Sequence, residues 1–204
     1  MLAQGTDSAA NHDVCEGVAF NAQPRVTRSP EHLYTERLVL RRPRASDAES
    51  ILSRFAADPE VTRYLSWPTH RSVTDTRAFL AFSDAEWAKW PAGPYLIADR
   101  RDLKILGSTG LTFETPLRAA TGYVLAQDSW GKGYATEALN AMVSLAGSAG
   151  VRRLQALCHA DHDASSHVLE KCGFTREGIL RKYCEFPNLD PVEPCDVLCY
   201  SVVL

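Results

Sequence analysis

Hydrophobic positions recur along the chain with two periods, which predict alternating strands and helices. In "ERLVLRR" (36–42), Leu38 and Leu40 stand two residues apart, as on a half-buried strand. A capping-box pattern at 46–49 then introduces apolar positions at helical spacing, and a second helix is predicted from about Ser72. Runs of alternating or continuous apolar residues predict three further strands, at 94–99, 104–113 and 121–126.

The carboxy-terminal half continues this alternation. A helix from about Gly133 carries Leu139 and Met142 on its apolar face, and a helix over 163–172 ends at Gly173. Strands are predicted at 152–159, 178–186 and 197–204. The order β-α-α-β-β-β-α-β-α-β-β predicts an α/β fold, of the mixed-sheet α+β kind, with about seven strands and about four helices.

Residues 1–30 show no sustained period and are rich in Ala, Asn, Gln and Ser. We therefore expect a flexible N-terminal tail over 1–30, either mobile or docked on a partner, and a single domain over 31–204. A chain of 204 residues has the length of one ordinary domain.

Composition and charge argue against several classes of protein. The net charge of −3 creates no field that would attract nucleic acid or an anionic membrane. No apolar run approaches the roughly 18 residues of a membrane span, and the amino terminus lacks the features of a signal peptide, so we expect a cytoplasmic protein. The six cysteines form no C-x-x-C pair, which favours reduced thiols. His159, His162 and Asp163 have no second ligand cluster, and no metal site is predicted.

"SWGKGYATEAL" (129–139) places Gly131 and Gly133 directly before a helix. The unpaired N–H groups at a helix start, together with the helix dipole, form an anion site that phosphates commonly occupy, and glycine lets them approach the backbone. Neither the Walker A pattern G-x-x-x-x-G-K-S/T nor the dinucleotide fingerprint G-x-G-x-x-G is matched. A purely structural turn is the alternative.

Three blocks of the sequence resemble the GNAT superfamily of acyl-coenzyme A-dependent N-acyltransferases, in particular its RimJ/RimL-like branch, related to ribosomal-protein alanine acetyltransferases. The superfamily's pyrophosphate pattern Q/R-x-x-G-x-G/A aligns with 130–135, with Trp130 in the first place. "HDASSHVLEKCGFTREGILR" (162–181) resembles N-x-x-S-x-x-V-L-E-K-x-G-F-x-x-E-G, and "TERLVLR" (35–41) resembles the branch's opening. The blocks follow one another in the family's order over about 35–204.

The resemblance implies a GNAT-type fold with a central, mostly antiparallel twisted sheet. It implies transfer of an acetyl group from acetyl-CoA, the co-substrate, to a primary amine by direct attack in a ternary complex, without a metal. Backbone N–H groups of 131–136 would bind the coenzyme A pyrophosphate, and the strand at 123–125 would pair with the pantetheine amides. Lys132 either contacts a phosphate or is a surface lysine. The coenzyme-binding residues so implied are Tyr123, Val124, Leu125, Trp130, Gly131, Lys132, Gly133, Tyr134, Ala135, Thr136 and His162.

The family's catalytic positions are matched in part. Its thiolate-binding tyrosine aligns with Leu169, which cannot donate, and the serine of N-x-x-S aligns with Ser165. Ser165 is therefore the candidate proton donor to the leaving thiolate, or else only a polar residue in a first helical turn. The family's asparagine is His162, which imitates one donor or acceptor. Its glutamate aligns with Ala120, and Glu114 is the nearest candidate base or else a solvated turn residue.

Tyr64, Trp67, His70 and Tyr95 align where this branch lines its acceptor cleft, although aromatic residues at such positions also serve in packing. The acceptor itself, a protein N-terminus or a small-molecule amine, is not identified by the sequence, because loops choose it independently of the fold. The alternatives are a catalytically degenerate acyl-CoA-binding or sensing protein, and an acyltransferase with a different acyl group or acceptor. We expect a monomer or a homodimer.

Overall fold

The computed structural model describes residues 28–189 and 193–204. The tail predicted over 1–30 therefore lies outside the described residues, except for its last three. Arg28 donates to the Trp87 carbonyl at 2.7 Å, and the Ser29 N–H donates to the Pro91 carbonyl at 2.8 Å. The Pro30 carbonyl accepts from the Tyr95 hydroxyl at 2.7 Å, so all three residues contact the domain.

One eight-stranded sheet forms the centre of the fold. Its strands are β1 His32–Tyr34, β2 Leu38–Arg41, β3 Pro94–Asp99, β4 Ile105–Thr115, β5 Arg118–Leu125, β6 Arg153–His159, β7 Thr175–Cys184 and β8 Cys195–Val203. They lie in the order β1-β2-β3-β4-β5-β6-β8-β7. Every neighbouring pair is antiparallel except β5 and β6. The predicted mixed-sheet class is confirmed, but the predicted count of about seven strands missed β1, which is too short to show alternation.

The helices follow the predicted order with one addition. They are α1 Ala48–Ile51, α2 Pro59–Thr62, α3 Val73–Lys89, α4 Tyr134–Ser148 and α5 Asp163–Lys171. A 3-10 turn (Ala45–Asp47) precedes α1, and a π-helical segment (Leu52–Ala56) continues it. The single turn α2, whose first N–H groups are capped by the Asp58 carboxylate, was not predicted because it has no apolar periodicity. The capping box predicted at 46–49 is wrong, since Asp47 accepts from the Arg44 N–H at 2.7 Å instead.

The sheet separates two layers of helices. On one face, α4 and α5 pack Leu139, Met142 and Leu169 into the larger core cluster. On the other face, the segment around α1 and the long α3 contribute Phe55 and Leu80 to a second cluster. Residues that alternate along a central strand therefore reach different layers. Among the described residues, no helix combines the length and apolar character needed to cross a membrane.

The parallel pair, β5 and β6, opens into a gap. The two strands pair over just three residues, Arg118–Ala120 with Arg153–Gln155. Beyond that point β5 keeps β4 as its partner on one side, while Thr121 to Leu125 pair with no strand on the other side. The divergence exposes the backbone of β5 immediately before the turn that leads into α4.

Candidate functional site

The turn before α4 has the backbone geometry of an anion site. Gly131 and Gly133 have φ angles of 71° and 76°, a left-handed conformation that other residues adopt only at a cost. Gly133 is the N-cap of α4, and no side chain that the structure describes caps the first N–H groups of the helix. These groups lie at the positive end of the helix dipole without helical partners, so they can bind a phosphate. Lys132 is exposed between the glycines, while Ala135 is buried in the helix behind them.

A partly buried ion pair between Arg37 and Glu137 connects this turn to the start of the domain. Glu137, in the first turn of α4, accepts from the Thr35 hydroxyl at 2.6 Å and from the Arg37 N–H at 2.8 Å. The Arg37 guanidinium donates to the second carboxylate oxygen at 2.7 Å and to the Lys132 carbonyl at 2.9 Å. Burial opposes ionisation, but these hydrogen bonds keep the pKa of Glu137 below its ordinary value. These hydrogen bonds and the ion pair therefore stabilise the conformation of the turn.

The gap side of β5 exposes backbone hydrogen-bonding groups. In an antiparallel pair, successive residues direct their N–H and C=O groups alternately toward the partner and away from it. The Ala126 N–H donates to the Leu106 carbonyl of β4, so Tyr123 and Leu125 direct theirs into the gap. A hydrogen bond supports this orientation: the indole N–H of Trp130 donates to the Leu125 carbonyl at 2.8 Å, on the side away from β4. An extended ligand with amide groups can therefore pair with β5 as an added strand would.

The side chain of Tyr123 spans the gap toward α5. Its hydroxyl donates to Ser165 Oγ at 3.2 Å, which leaves the serine hydrogen free for another acceptor. Burial raises the pKa of Tyr123 to about 12, so its phenol remains a donor at neutral pH. The neighbouring Ser166 instead lies 3.6 Å from the Cys158 thiol. Leu169 is buried in the core beneath α5 and offers no polar atom.

A cavity of about 820 Å³ lies on the opposite face of the sheet. Such a volume is typical of small-molecule sites. Its lining consists of Ile51, Phe55, Ala56, Trp67, Pro68, Thr69, His70, Arg71, Asp75, Ala78, Phe79, Phe82, Ser108, Val124, Pro187 and Asn188. An adjoining cavity of about 210 Å³ continues along β4 and β5 as far as Gly122 and Tyr123. The two share lining residues, so together they lead from the surface to the strand that borders the gap.

Asn188 holds the loop between α2 and α3, residues 63–72, which covers the larger cavity. Its side-chain carbonyl accepts from the Thr69 N–H at 2.8 Å and from the Thr69 hydroxyl at 3.0 Å. Its amide group donates to the carbonyls of Thr62 at 2.7 Å and of Trp67 at 2.9 Å. Sequence reasoning missed Asn188, because it lies more than a hundred residues from its partners and in no recognisable pattern. The loop is thereby fastened to the segment between β7 and β8.

Trp67 and His70, both predicted as acceptor residues, line this cavity together. Their ring centroids lie 5.0 Å apart. His70 Nδ1 is 2.9 Å from the Thr76 hydroxyl, so Nε2 is the ring nitrogen left for a ligand. Burial lowers the pKa of His70 below its ordinary value, and the ring is therefore neutral at pH 7.

Tyr64 and His162 meet each other at the start of α5, away from the cavity lining. Their rings are stacked with centroids 4.6 Å apart, and the ring of His159 lies 4.9 Å from that of Tyr64. Burial and the neighbouring His159 lower the pKa of His162. The side chain of His162 caps no backbone group of α5. Tyr64 thus supports the wall of the gap rather than the cavity.

Two predicted residues are not brought to this region. Glu114 lies at the far end of β4, where it pairs with Arg118 at 2.6 Å and accepts from Gln155. Tyr123 is five residues further along β5 than Arg118, or roughly 16 Å at about 3.3 Å per residue. Tyr95 is fully buried on the α4 side of the sheet, and its hydroxyl donates to the Pro30 carbonyl at 2.7 Å. Its side chain is part of the core, not of the cavity.

In the described ranges of the chain, no group of three or more His, Cys, Asp or Glu side chains is arranged to hold a metal ion.

Comparison with known proteins agrees with these features. The family model for the acetyltransferase (GNAT) domain matches residues 37–175. The uncharacterized N-acetyltransferase YoaA of Bacillus subtilis (strain 168) is 33% identical over 180 residues, covering 84% of this chain and 96% of that protein. The uncharacterized N-acetyltransferase p20 of Bacillus licheniformis is 30% identical over 156 residues, covering 75% of this chain and 87% of that protein.

Solved structures share the fold. The microcin C7 self-immunity acetyltransferase MccE, in complex with acetyl-CoA and AMP, superposes with a TM-score of 0.76 at 24% identity, covering 88% of this chain and 99% of that one. The RimL ribosomal L7/L12 α-N-protein acetyltransferase, in complex with coenzyme A, gives 0.76 at 22% identity, covering 85% and 98%. At these identities the likeness concerns the fold alone. The family match over most of the chain and the two N-acetyltransferase relatives establish the class of activity as acyl transfer. The chain therefore belongs to the acetyltransferase (GNAT) domain family.

Proposed function

We propose that the protein transfers an acetyl group from acetyl-CoA to a primary amine by direct attack within a ternary complex. The observation that carries this proposal is that two differently built binding regions meet at β5. The anion turn and the exposed backbone of Tyr123 and Leu125 lie on one side. The cavity reaches Gly122 and Val124 on the other side. A donor bound along the gap and an amine held in the cavity would face each other across this strand.

The donor side suits the parts of coenzyme A. The N–H groups from Gly131 to Thr136 would bind the pyrophosphate, with Lys132 near enough to add charge. The pantetheine amides would pair with Tyr123 and Leu125, because these two residues direct their backbone groups into the gap. Such binding uses backbone groups almost alone. It also agrees with the solved relatives that carry acetyl-CoA or coenzyme A.

The departing thiolate needs a hydrogen-bond donor. Ser165 would supply this hydrogen bond. The Tyr123 hydroxyl donates to the serine oxygen, which leaves the serine hydrogen available for the thiolate. A serine hydroxyl is far less acidic than a thiol, whose pKa is about 8.5, so it would stabilise the thiolate rather than surrender a proton. Tyr123 therefore acts as a positioning residue through Ser165.

The amine must lose a proton before it attacks. An alkylamine with a pKa of about 10 is charged at pH 7, and removing the proton costs about 4 kcal/mol at 1.36 kcal/mol per unit. We assign the role of proton acceptor to His70, whose neutral ring lines the cavity and keeps Nε2 available for the amine proton. Glu114 is engaged by Arg118 and Gln155 at a distance from the cavity and does not serve this step.

Thermal unfolding with acetyl-CoA, coenzyme A, ATP and NAD in parallel tests the donor half without knowledge of the acceptor. A ligand at about 100 times its dissociation constant should add about 2.7 kcal/mol of stability. At roughly 2–4 °C per kcal/mol, the two coenzyme A species alone should raise the midpoint by several degrees. No shift with either species would overturn the proposal. Binding without thiol release across a broad amine panel would instead favour an acyl-CoA-binding protein that has lost turnover.

A further inference from the structure

The large cavity carries information on the acceptor that the family membership does not. We infer that it takes a small primary amine with a flat aromatic or otherwise apolar body, rather than a peptide N-terminus or a polyamine. This inference rests on the proposed function for its reaction, but its argument comes from the chemistry of the cavity wall.

Aromatic side chains dominate the wall. Trp67, Phe79 and Phe82 come from the covering loop and from α3, and Phe55 comes from the segment after α1. Phe82 is 48% exposed although it borders a cavity, so its apolar surface is not covered by any residue that the structure describes. Flat apolar groups cover such surfaces best, because aromatic rings stack face to face or edge to face at short range.

The polar groups of the wall are mostly occupied by the protein itself. Asn188 and Thr69 bond each other, and Ser108 donates to the Tyr95 carbonyl. The Asp75 carboxylate already accepts from the backbone N–H groups of Arg71 and Ser72. Few polar groups of the lining have no hydrogen-bond partner among the described residues: His70 Nε2, the Arg71 guanidinium, the Trp67 indole N–H and the second carboxylate oxygen of Asp75. A wall of this kind offers little to hydrophilic ligands.

A peptide acceptor would be poorly served here. Each of its residues carries a backbone N–H and C=O that require partners when buried. The exposed edge of β5 is the obvious place for such pairing, but the pantetheine of the donor occupies that edge in the proposed complex. A polyamine is equally ill suited, since Arg71 repels its additional charges and Asp75 is the single carboxylate of the lining.

The shape of the two connected cavities defines the amine further. The larger space of about 820 Å³ suits a ring system, and the narrower one of about 210 Å³ leads to the strand. Gly122 borders the narrow part, and a Cβ added there would meet nothing within 4 Å. A short alkyl chain can thus carry the amine to Val124 of β5, which borders both cavities and shares the larger one with His70, while the ring stays among the aromatic side chains. Arylalkylamines have this form.

The test compares acceptors with the full-length protein and acetyl-CoA, following release of the coenzyme A thiol. 2-Phenylethylamine and tryptamine should show kcat/KM values at least about tenfold above those of spermidine and of a hexapeptide with a free N-terminal alanine, a difference of 1.4 kcal/mol. Phe82→Ala should raise KM for the arylalkylamines at least about tenfold and leave KM for acetyl-CoA unchanged. Tyr183→Ala removes an aromatic ring of similar exposure outside the cavity and should change neither.

Calorimetry separates this inference from the proposed function. Coenzyme A binding is measured first. 2-Phenylethylamine is then titrated into the wild-type protein and into Phe82→Ala, with and without coenzyme A. Preference for the peptide or spermidine, with coenzyme A bound, would overturn the inference and leave acetyl transfer standing. If coenzyme A does not bind, the proposed function fails. The cavity is then judged by 2-phenylethylamine alone: saturable binding that Phe82→Ala abolishes supports the inference, and absence of binding overturns it.

Discussion

The proposed donor region and the proposed acceptor cavity lie on either side of the same strand, yet one is built from backbone groups and the other from side chains. The donor region comes from one continuous stretch, Tyr123 to Thr136, and presents backbone N–H and C=O groups. The cavity is assembled from six separate parts of the chain and presents side chains. Its covering loop is held by Asn188, which lies beyond β7.

This difference explains how one family can keep a donor and vary its acceptors. Backbone groups are the same for every residue, so a donor site needs only the correct φ and ψ angles and two glycines that permit them. An acceptor site made of side chains changes with each substitution in a loop. The two regions should therefore respond differently to mutation: the donor side to backbone conformation and the acceptor side to side-chain chemistry.

The largest effect is expected at the proposed proton acceptor. His70→Asn keeps a polar group near Thr76 but removes Nε2, and kcat should fall at least about 100-fold because general bases contribute at least that much. Glu114→Gln is the matched control and should change kcat less than about twofold, since Glu114 forms an exposed ion pair with Arg118. Steady-state kinetics with a saturating amine measure both. Equal losses in the two variants, or a loss at Glu114 alone, would reverse the assignment.

Ser165→Ala tests the thiolate donor. Removing a hydrogen bond to a charged group costs about 1.5–3 kcal/mol, so kcat should fall about 10- to 100-fold with little change in KM for acetyl-CoA. Ser166→Ala is the control on the neighbouring position, where the hydroxyl meets the Cys158 thiol instead. A wild-type kcat for Ser165→Ala would exclude Ser165 from the reaction.

Gly131→Ala and Gly150→Ala separate backbone strain from ligand contact. Both glycines have left-handed φ angles, 71° and 86°, and an added Cβ meets no protein atom within 4 Å at either position. Each variant should lose about 1–2 kcal/mol of unfolding free energy. Only Gly131→Ala should also weaken coenzyme A binding, by about tenfold or more, because the methyl group keeps the phosphate from the N–H groups. Calorimetric dissociation constants that rise equally in both variants would contradict a phosphate site at this turn.

The smallest effect concerns stability and pH. Burial lowers the pKa of His70 and, together with His159, that of His162, from the ordinary value of 6.5. The unfolded chain then binds more protons than the folded one as the pH falls below 6.5, so stability present above that pH is lost on acidification. Each unit of lowering is worth about 1.4 kcal/mol.

Denaturant unfolding between pH 7.5 and 5 measures this slope. His162→Asn should flatten it, because the amide does not titrate. Nearby Asp163 favours the charged form of His162 and so reduces the contribution of that histidine. A slope that is the same in the variant and the wild type would show that the imidazole of His162 is as easily protonated in the folded as in the unfolded chain.

Much of the fold was predictable, because its elements have local signals. The predicted strand over 94–99 coincides with β3, and α3 begins after Ser72 with Asp75 accepting from the Ser72 N–H. The elements that were missed, β1 and α2, span three and four residues and are too short for a hydrophobic period. The false capping box at 46–49 has the correct residue types, but the helical turn begins two residues earlier, with Arg44 as the N-cap and Asp47 accepting from its N–H at 2.7 Å.

The candidate site likewise has one part with a local sequence signal and another that depends on tertiary contacts. The sequence by itself determined the family and the donor turn, because two glycines before a helix start specify a conformation within a few residues. Only the tertiary structure decided which side chains meet: Tyr123 with Ser165 across the gap, Glu137 with Arg37 behind the turn, and Asn188 with the loop over the cavity. It also placed Tyr95, which alignment had assigned to the acceptor cleft, and Glu114, the nearest candidate base, away from that site. Backbone conformation follows from near neighbours, whereas contacts between distant side chains depend on how the whole sheet and its two layers pack.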